Sequence, residues 1–186
     1  MLVFSAILLI LPRFFSVIEA RQGIVLDDRL LHLIPSMDFS VLIFILVWST
    51  FLLILIRCFQ QPAIFLMILY FLILITLIRI ITISIIPLNP PIGLIVLKDP
   101  LTSLTYGGSG VFITKDLFFS GHTSNLFMFY LCLQKKRDKQ FALFTSLLVG
   151  LLVLVQHVHY SIDVIGAIVF TYFLVKYSKH LGFINV

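Results

Sequence analysis

The sequence predicts an all-α integral membrane protein that crosses the bilayer six times and forms a single domain over residues 1–186. Hydrophobic residues make up 61% of the chain and the mean hydropathy is +1.17, whereas roughly half of an ordinary soluble domain is apolar. Several nearly uncharged runs approach or exceed the roughly 20 residues that a helix needs to cross a bilayer. No run shows the period-2 alternation of a membrane β-barrel.

Three spans are predicted in the first half of the chain. Residues 1–18 are largely apolar but include Pro12 and Arg13 and predict a first membrane helix, and residues 39–56 contain no charged side chain over 18 positions. A third span begins at Pro62, a residue type favoured in the first turn of a helix, and continues to about residue 86. Its one charged residue is Arg79. The polar residues 19–38 predict a loop between the first two spans.

The second half of the chain predicts three further spans. Residues 88–115 contain three prolines and a Gly-rich run, which predicts a loop, and residues 117–134 predict the fourth span. The proline-free residues 141–175 would extend about 52 Å as one helix, far beyond a bilayer core of about 30 Å. They must therefore fold back, and the polar residues 156–163 predict where this turn lies.

Charge and cysteine content limit the class of protein further. The net charge of +5 comes from bases in short inter-helix loops, where membrane topology and anionic lipid explain them better than a nucleic acid partner does. The dense basic block at residues 135–139 predicts that both termini are cytosolic and that the opposite helix ends face the exoplasmic or luminal side. Cys58 and Cys132 lie beside charged residues at the cytosolic face, so we expect free thiols.

A Ser-Gly-His-Thr tetrapeptide opens the fourth predicted span at residues 120–123. The first N–H groups of a helix lack partners and the helix dipole favours an anion, so Ser120, Gly121 and Thr123 are candidates for phosphate binding. His122 is a candidate catalytic residue at the same helix end. The alternative is that Ser120 or Thr123 only caps the helix and that His122 is an interfacial residue.

A second histidine cluster, HVHYSID at residues 157–163, fills the predicted turn. His159 and Asp163 are four residues apart, so they share one face of a helix that begins near His159. A carboxylate in this position holds the imidazole in one tautomer and leaves the other ring nitrogen nucleophilic. The alternative is an interfacial ion pair that caps the sixth helix. A zinc site would need His122 from another helix and lacks the His-Glu-x-x-His spacing, so we expect no metal.

Arg79 lies about two turns before the end of the third predicted span. An intramembrane arginine is costly unless it faces an anion or a water-filled cavity, and its planar fork suits phosphate oxygens. We therefore place Arg79 with the phosphate-binding candidates, and the alternative is that its side chain extends to the outer interface. Asp116, His157 and Tyr160 are expected to support the site.

These motifs resemble those of the sphingomyelin synthase family, within the wider type 2 phosphatidic acid phosphatase superfamily. Asp116-x-x-x-Ser120-Gly121-His122-Thr123 is similar to the third conserved motif of that family, and His157-x-His159-Tyr160-Ser161-x-Asp163 is similar to the fourth. Arg79-x-Ile81-Thr82 resembles the second motif. The resemblance covers roughly residues 79–168.

The resemblance implies a membrane lipid phosphotransferase with a helix bundle like that of the lipid phosphatases. Such an enzyme moves a phosphocholine or phosphoethanolamine head group from a glycerophospholipid to ceramide or diacylglycerol, through a phosphohistidine intermediate and without a cofactor. The resemblance also implies that His159 attacks phosphorus, that Asp163 orients His159, and that His122 protonates the leaving alkoxide and later deprotonates the acceptor. Arg79 and the start of the fourth helix would neutralise the phosphoryl oxygens.

Two other functions stay open on the sequence alone. A lipid phosphatase or phospholipase C-like hydrolase would use the same two histidines and aspartate, with water resolving the intermediate. The K-x6-R-P, PSGH and SR-x5-H signatures of lipid phosphatases fit less well, because Leu72, Phe119 and Val153 stand where those signatures have Lys, Pro and Arg. The third possibility is a membrane scaffold or lipid transporter that retains the motif residues.

Overall fold

The computed structural model describes residues 2–98 and 112–180, with side chains from residue 5 onward. The helices in this part of the chain are α1 (Leu2–Ala20), α2 (Arg29–His32), α3 (Ser40–Gln60), α4 (Pro62–Ile85), α5 (Gly121–Cys132), α6 (Lys136–Val155) and α7 (Ser161–His180). The predicted all-α fold class is confirmed. The Gly-rich part of the predicted loop at 88–115 lies outside the described residues.

Within residues 2–98 and 112–180, four helices are long and apolar enough to cross a membrane, namely α3, α4, α6 and α7. The protein is therefore an integral membrane protein. The predicted count of six spans is not confirmed, because α1 and α5 are not among these four helices. α5 has 12 residues, which corresponds to a length of about 18 Å.

α5 occupies the centre of the bundle, where it packs against α3, α4, α6 and α7. It begins later than predicted, because residues 117–120 form a non-helical segment whose backbone groups bond to other elements. Ser120 N donates to Asp163 O over 3.1 Å, and Thr82 Oγ1 donates to Phe118 O over 2.8 Å. These bonds connect the approach to α5 with the end of α4 and the start of α7.

Residues 135–139, predicted to form a loop, are mostly helical. α6 begins at Lys136, and α3 continues past Arg57 to Gln60. Arg57 forms a two-point ion pair with Asp138, with Nε 2.6 Å from Oδ2 and Nη2 3.2 Å from Oδ1. This pair joins the end of α3 to the start of α6, where an acidic residue also suits the helix dipole.

The basic segments and the histidine motifs lie at opposite ends of the bundle. Lys179 Nζ near the end of α7 donates to Leu131 O near the end of α5 over 3.3 Å, so these helix ends lie on the side of the Arg57–Asp138 pair. The end of α4 and the starts of α5 and α7 lie at the other end, which we call the site end. Cys58 and Cys132 are both free thiols in the structure.

Candidate active site

The turn between α6 and α7 brings His159 and Asp163 into contact. Asp163 Oδ2 lies 3.2 Å from His159 Nδ1, and the two side chains are 0% and 5% exposed. The carboxylate also accepts hydrogen bonds from Tyr160 N over 3.0 Å and from Phe118 N over 3.2 Å. A carboxylate only accepts, so His159 donates through Nδ1 and its Nε2 carries the lone pair. The buried pair thus holds the imidazole in the tautomer that a nucleophile needs.

Arg79 reaches from α4 to the start of α5. Its Nη2 forms an ion pair with the carboxylate of Asp116, and its Nε donates to Phe119 O over 3.2 Å. The guanidinium lies against Gly121, where an added Cβ would come within 2.5–2.8 Å of Nη1, Cζ and Nη2. Gly121 therefore leaves the space in which Arg79 lies over the start of α5.

Ser120 and Thr123, two of the residues predicted to bind phosphate, have side chains that lie away from the cavity. Both residues are fully buried, and neither lines the cavity beside Arg79. Ser120 Oγ caps α5 by accepting a hydrogen bond from Thr123 N over 3.4 Å. The Thr123 side chain packs towards Gly150 of α6, where an added Cβ would lie 3.5 Å from its Cγ2. The Ser120 side chain therefore caps the helix and the Thr123 side chain packs against α6, while phosphate binding by the backbone N–H groups of this helix end stays a prediction.

A cavity of about 420 Å³ begins at the site end and continues between the helices. His122, His159, Arg79, Asp116 and Gly121 line it at the site end. Its remaining wall is largely apolar, with α1, α3, α4 and α5 contributing such residues as Leu11, Phe15, Phe44, Val47, Leu72 and Phe129. A cavity that combines a charged end with an apolar wall suits an amphipathic ligand.

His157 lies behind the cavity and not in its wall. Its backbone has φ of 55°, and its ring nitrogens each lie close to a carbonyl oxygen: Nδ1 is 2.8 Å from Ile92 O, and Nε2 is 3.0 Å from Ile34 O. These two carbonyls belong to the two loops at the site end. His157 therefore connects the loops to the turn that carries His159, which is consistent with a supporting role.

Tyr160 joins the same two loops from the other side of the turn. Its hydroxyl donates to Asn89 O over 2.9 Å and accepts from Leu26 N over 3.1 Å. Burial, followed by the nearby negative charges of Asp163 and Asp28, raises the pKa of Tyr160 against the opposing effect of the Leu26 hydrogen bond. The hydroxyl therefore stays protonated and keeps its donor role.

Asp28 is a supporting residue that sequence reasoning missed. Its carboxylate accepts from Ser161 N over 2.6 Å and from Ser161 Oγ over 3.1 Å, and it also caps α2. Burial acts to raise the pKa of Asp28, but the hydrogen bonds from Ser161, Leu31 and Leu30 outweigh it and lower the pKa. The charged carboxylate therefore anchors the first residue of α7, one turn of chain from the His159–Asp163 pair.

The two carboxylates at the site each pair with a basic side chain. Asp163 pairs with His159, and Asp116 pairs with Arg79. Within residues 2–98 and 112–180, no group of three or more His, Cys, Asp or Glu side chains is placed to hold a metal ion. The site thus presents groups suited to nucleophilic attack, proton transfer and anion binding.

The fold and the site define a helical integral membrane protein in which two histidines, one of them paired with a buried carboxylate, line a largely apolar cavity beside an arginine. Residues 115–181 match the family model described as PAP2 superfamily C-terminal. This match is a similarity to the type 2 phosphatidic acid phosphatase superfamily, whose members are phosphatases and phosphotransferases. It does not single out a sphingomyelin synthase-like member. Comparisons with curated proteins and with solved structures found no match.

The Gly121→Ala variant is expected to lose activity while keeping its fold. The added Cβ would lie 2.5 Å from Arg79 Nη1, so the guanidinium must move away from the start of α5. A displaced charged hydrogen-bond donor should lower kcat/KM for a phospholipid about ten- to a hundredfold. Because a flexible side chain can shift, the free energy of unfolding should change by only about 1 kcal/mol.

The matched control is Gly166→Ala on α7, where an added Cβ would meet Phe119 Cβ at an ordinary 3.5 Å. Turnover of a labelled phospholipid and the Tm in detergent are measured for both variants. Gly166→Ala should keep wild-type turnover. Equal turnover in the two alanine variants would contradict the role given to Gly121.

Proposed function

We propose that the protein is a membrane lipid phosphotransferase that moves a phosphocholine or phosphoethanolamine head group from a glycerophospholipid to ceramide or diacylglycerol. The observation that carries the proposal is that His122, His159 and Arg79 line one shared cavity and adjoin its apolar wall. A phospholipid needs both surfaces, because its phosphate requires charged and hydrogen-bonding groups and its acyl chains require apolar contact.

The first half-reaction forms a phosphohistidine. His159 Nδ1 donates to Asp163, so Nε2 attacks phosphorus with its lone pair. The bond from phosphorus to the diacylglycerol oxygen breaks, and protonated His122 transfers its proton to that oxygen. Asp163 stabilises the positive charge that develops on the His159 ring. The products are diacylglycerol and a phosphoryl group bonded to His159, with the head-group alcohol still attached to phosphorus.

The second half-reaction transfers the head group. His122, now neutral, takes a proton from the acceptor hydroxyl while the acceptor oxygen attacks phosphorus and the P–N bond breaks. His159 returns to its starting form. Arg79 stabilises the charge on the phosphoryl oxygens in both steps, and the phosphate competes with Asp116 for its guanidinium. With water as the acceptor, the same steps would give phospholipase C-like hydrolysis.

The test supplies purified protein with phosphatidylcholine or phosphatidylethanolamine labelled in the head group, together with ceramide. We expect labelled sphingolipid and diacylglycerol to form in equal amounts, and more label to reach the sphingolipid as ceramide is titrated in. Release of only free phosphorylated head group or inorganic phosphate at every ceramide concentration would show a hydrolase instead. Absence of any lipid turnover in folded protein would favour the scaffold or transporter alternative.

We also propose that the site end faces the exoplasmic or luminal side and that both termini are cytosolic. Ile92 is 78% exposed in a loop at the site end, and Arg137 lies at the opposite end. In a background without Cys58 and Cys132, a membrane-impermeant thiol reagent should label Ile92→Cys in intact cells and spare Arg137→Cys. Permeabilised cells, in which both cysteines should react, are the control. The reverse pattern in intact cells would place the site on the cytosolic side.

A further inference from the structure

Two of the polar side chains in the cavity wall have neither a role in the proposed chemistry nor a hydrogen-bond partner among the described residues. Asn125 of α5 and Thr76 of α4 both line the cavity. No hydrogen bond to any residue in the described part of the chain uses either side chain. A polar side chain at membrane depth is costly when its hydrogen-bonding groups have no partner. Their placement therefore points to a partner supplied by the ligand.

Both residues lie one helical turn deeper than the reacting groups. Asn125 follows His122 by three residues on α5, and Thr76 precedes Arg79 by three residues on α4. Residues at this spacing share a helix face and are separated by about 4.5 Å along the axis. α4 ends and α5 begins at the site end, and the two helices pack together. Asn125 and Thr76 are therefore at similar depth in the same cavity.

We propose that Asn125, with Thr76 beside it, binds the acyl carbonyl groups of the lipid substrate and so selects lipids by the linkage of their chains. This inference rests on the proposed function, because it takes the phosphate to lie between His122, His159 and Arg79. In a glycerophospholipid the ester carbonyls follow the phosphate by a few bonds, which matches a contact one helical turn deeper. The Asn amide and the Thr hydroxyl both donate hydrogen bonds to such an oxygen.

The test uses two glycerophospholipids with the same head group and chain length, one ester-linked and one ether-linked. The ether-linked lipid lacks the carbonyl oxygens. Wild-type protein should show a kcat/KM about three- to tenfold higher for the ester-linked lipid, the effect of one neutral hydrogen bond. Asn125→Leu keeps a side chain of similar size without its amide, and it should lower this ratio, leaving at most the contribution of the Thr76 hydroxyl.

The matched control is Phe44→Leu in the apolar wall of the cavity. It should change kcat/KM for both lipids alike and keep the ester preference. Because each ratio is measured within one variant, a partial loss of folded protein cancels. A wild-type protein that treats the two lipids equally, or an Asn125→Leu variant that keeps the wild-type ratio, would overturn the inference.

A binding measurement separates this inference from the proposed function. The ester-linked and ether-linked lipids compete with a fluorescent phospholipid for purified protein, with no turnover required. An ester preference that Asn125→Leu lowers supports the inference even if no head-group transfer is detected and the proposed function fails. Equal competition by the two lipids for the wild-type protein overturns the inference whatever the outcome of the transfer assay.

Discussion

Replacing His159 by alanine is expected to abolish the covalent phosphoryl-enzyme adduct with every substrate. His159 is the histidine whose Nδ1 is bonded to a fully buried carboxylate, so its Nε2 is the nucleophile. Loss of a nucleophile typically lowers turnover by about 10⁴-fold or more. The adduct is trapped by rapid quenching without acid, and mass spectrometry locates the phosphoryl group in the wild-type protein.

His122→Ala is the informative comparison, because His122 lines the same cavity but acts as the acid in the proposed mechanism. Its turnover of phospholipid should fall about 10²- to 10⁴-fold. It should still form the adduct with a nitrophenyl phosphodiester, whose leaving group needs no proton. An adduct on His122 would reverse the two roles, and no adduct in rapidly quenched wild-type protein would indicate direct transfer.

Asp163→Asn is expected to reduce turnover about 10⁴-fold, as when a histidine loses the carboxylate that sets its tautomer. The carboxylate oxygens accept from three groups, namely His159 Nδ1, Tyr160 N and Phe118 N. An Asn side chain has one acceptor oxygen and one NH₂ group, so in either orientation its NH₂ faces an N–H donor. The buried mismatch should also lower the free energy of unfolding by about 1–3 kcal/mol.

Asp138→Asn is the matched control, because Asp138 also accepts from two donor atoms but lies at the opposite end of the bundle. Steady-state turnover and Tm are measured for both variants. The control should lose stability and keep its turnover. If Asp163→Asn retains as much activity as Asp138→Asn, Asp163 has no role in positioning the nucleophile.

The parts of the structure that depend on local or periodic features of the sequence could be predicted well. A bilayer sets the length of an apolar helix, so hydropathy placed α3 and α4 closely and required the chain after residue 141 to fold back. The turn lies between Val155 and Ser161, within the predicted residues 156–163. The contact between His159 and Asp163 could also be predicted, because a spacing of four residues is about one helical turn.

Contacts between distant segments could not be predicted. Asp28 forms a hydrogen bond with Ser161, 133 positions later in the sequence. No pattern among the acidic residues of the loop at residues 19–38 predicts this partner. Gln156 is one of the polar residues that predict the turn, and the structure buries it fully. Its side chain accepts a hydrogen bond from Phe39 N over 3.1 Å and donates one to Ser40 Oγ over 2.8 Å. Asn125 and Thr76 did carry a signal, since each is a polar residue three positions from a site residue within an apolar run.

The sequence by itself determined that the protein is a helical membrane protein, where its chain reverses near residue 160, and which histidine has a carboxylate one turn away. These properties depend on composition and on spacings of a few residues, which backbone geometry converts directly into structure. Only the tertiary structure decided that Asp116 pairs with Arg79, that Ser120 and Thr123 face away from the cavity, and that Asn125 lines it. Those outcomes depend on how α4, α5 and α6 pack against one another, because packing selects which face of each helix borders the cavity.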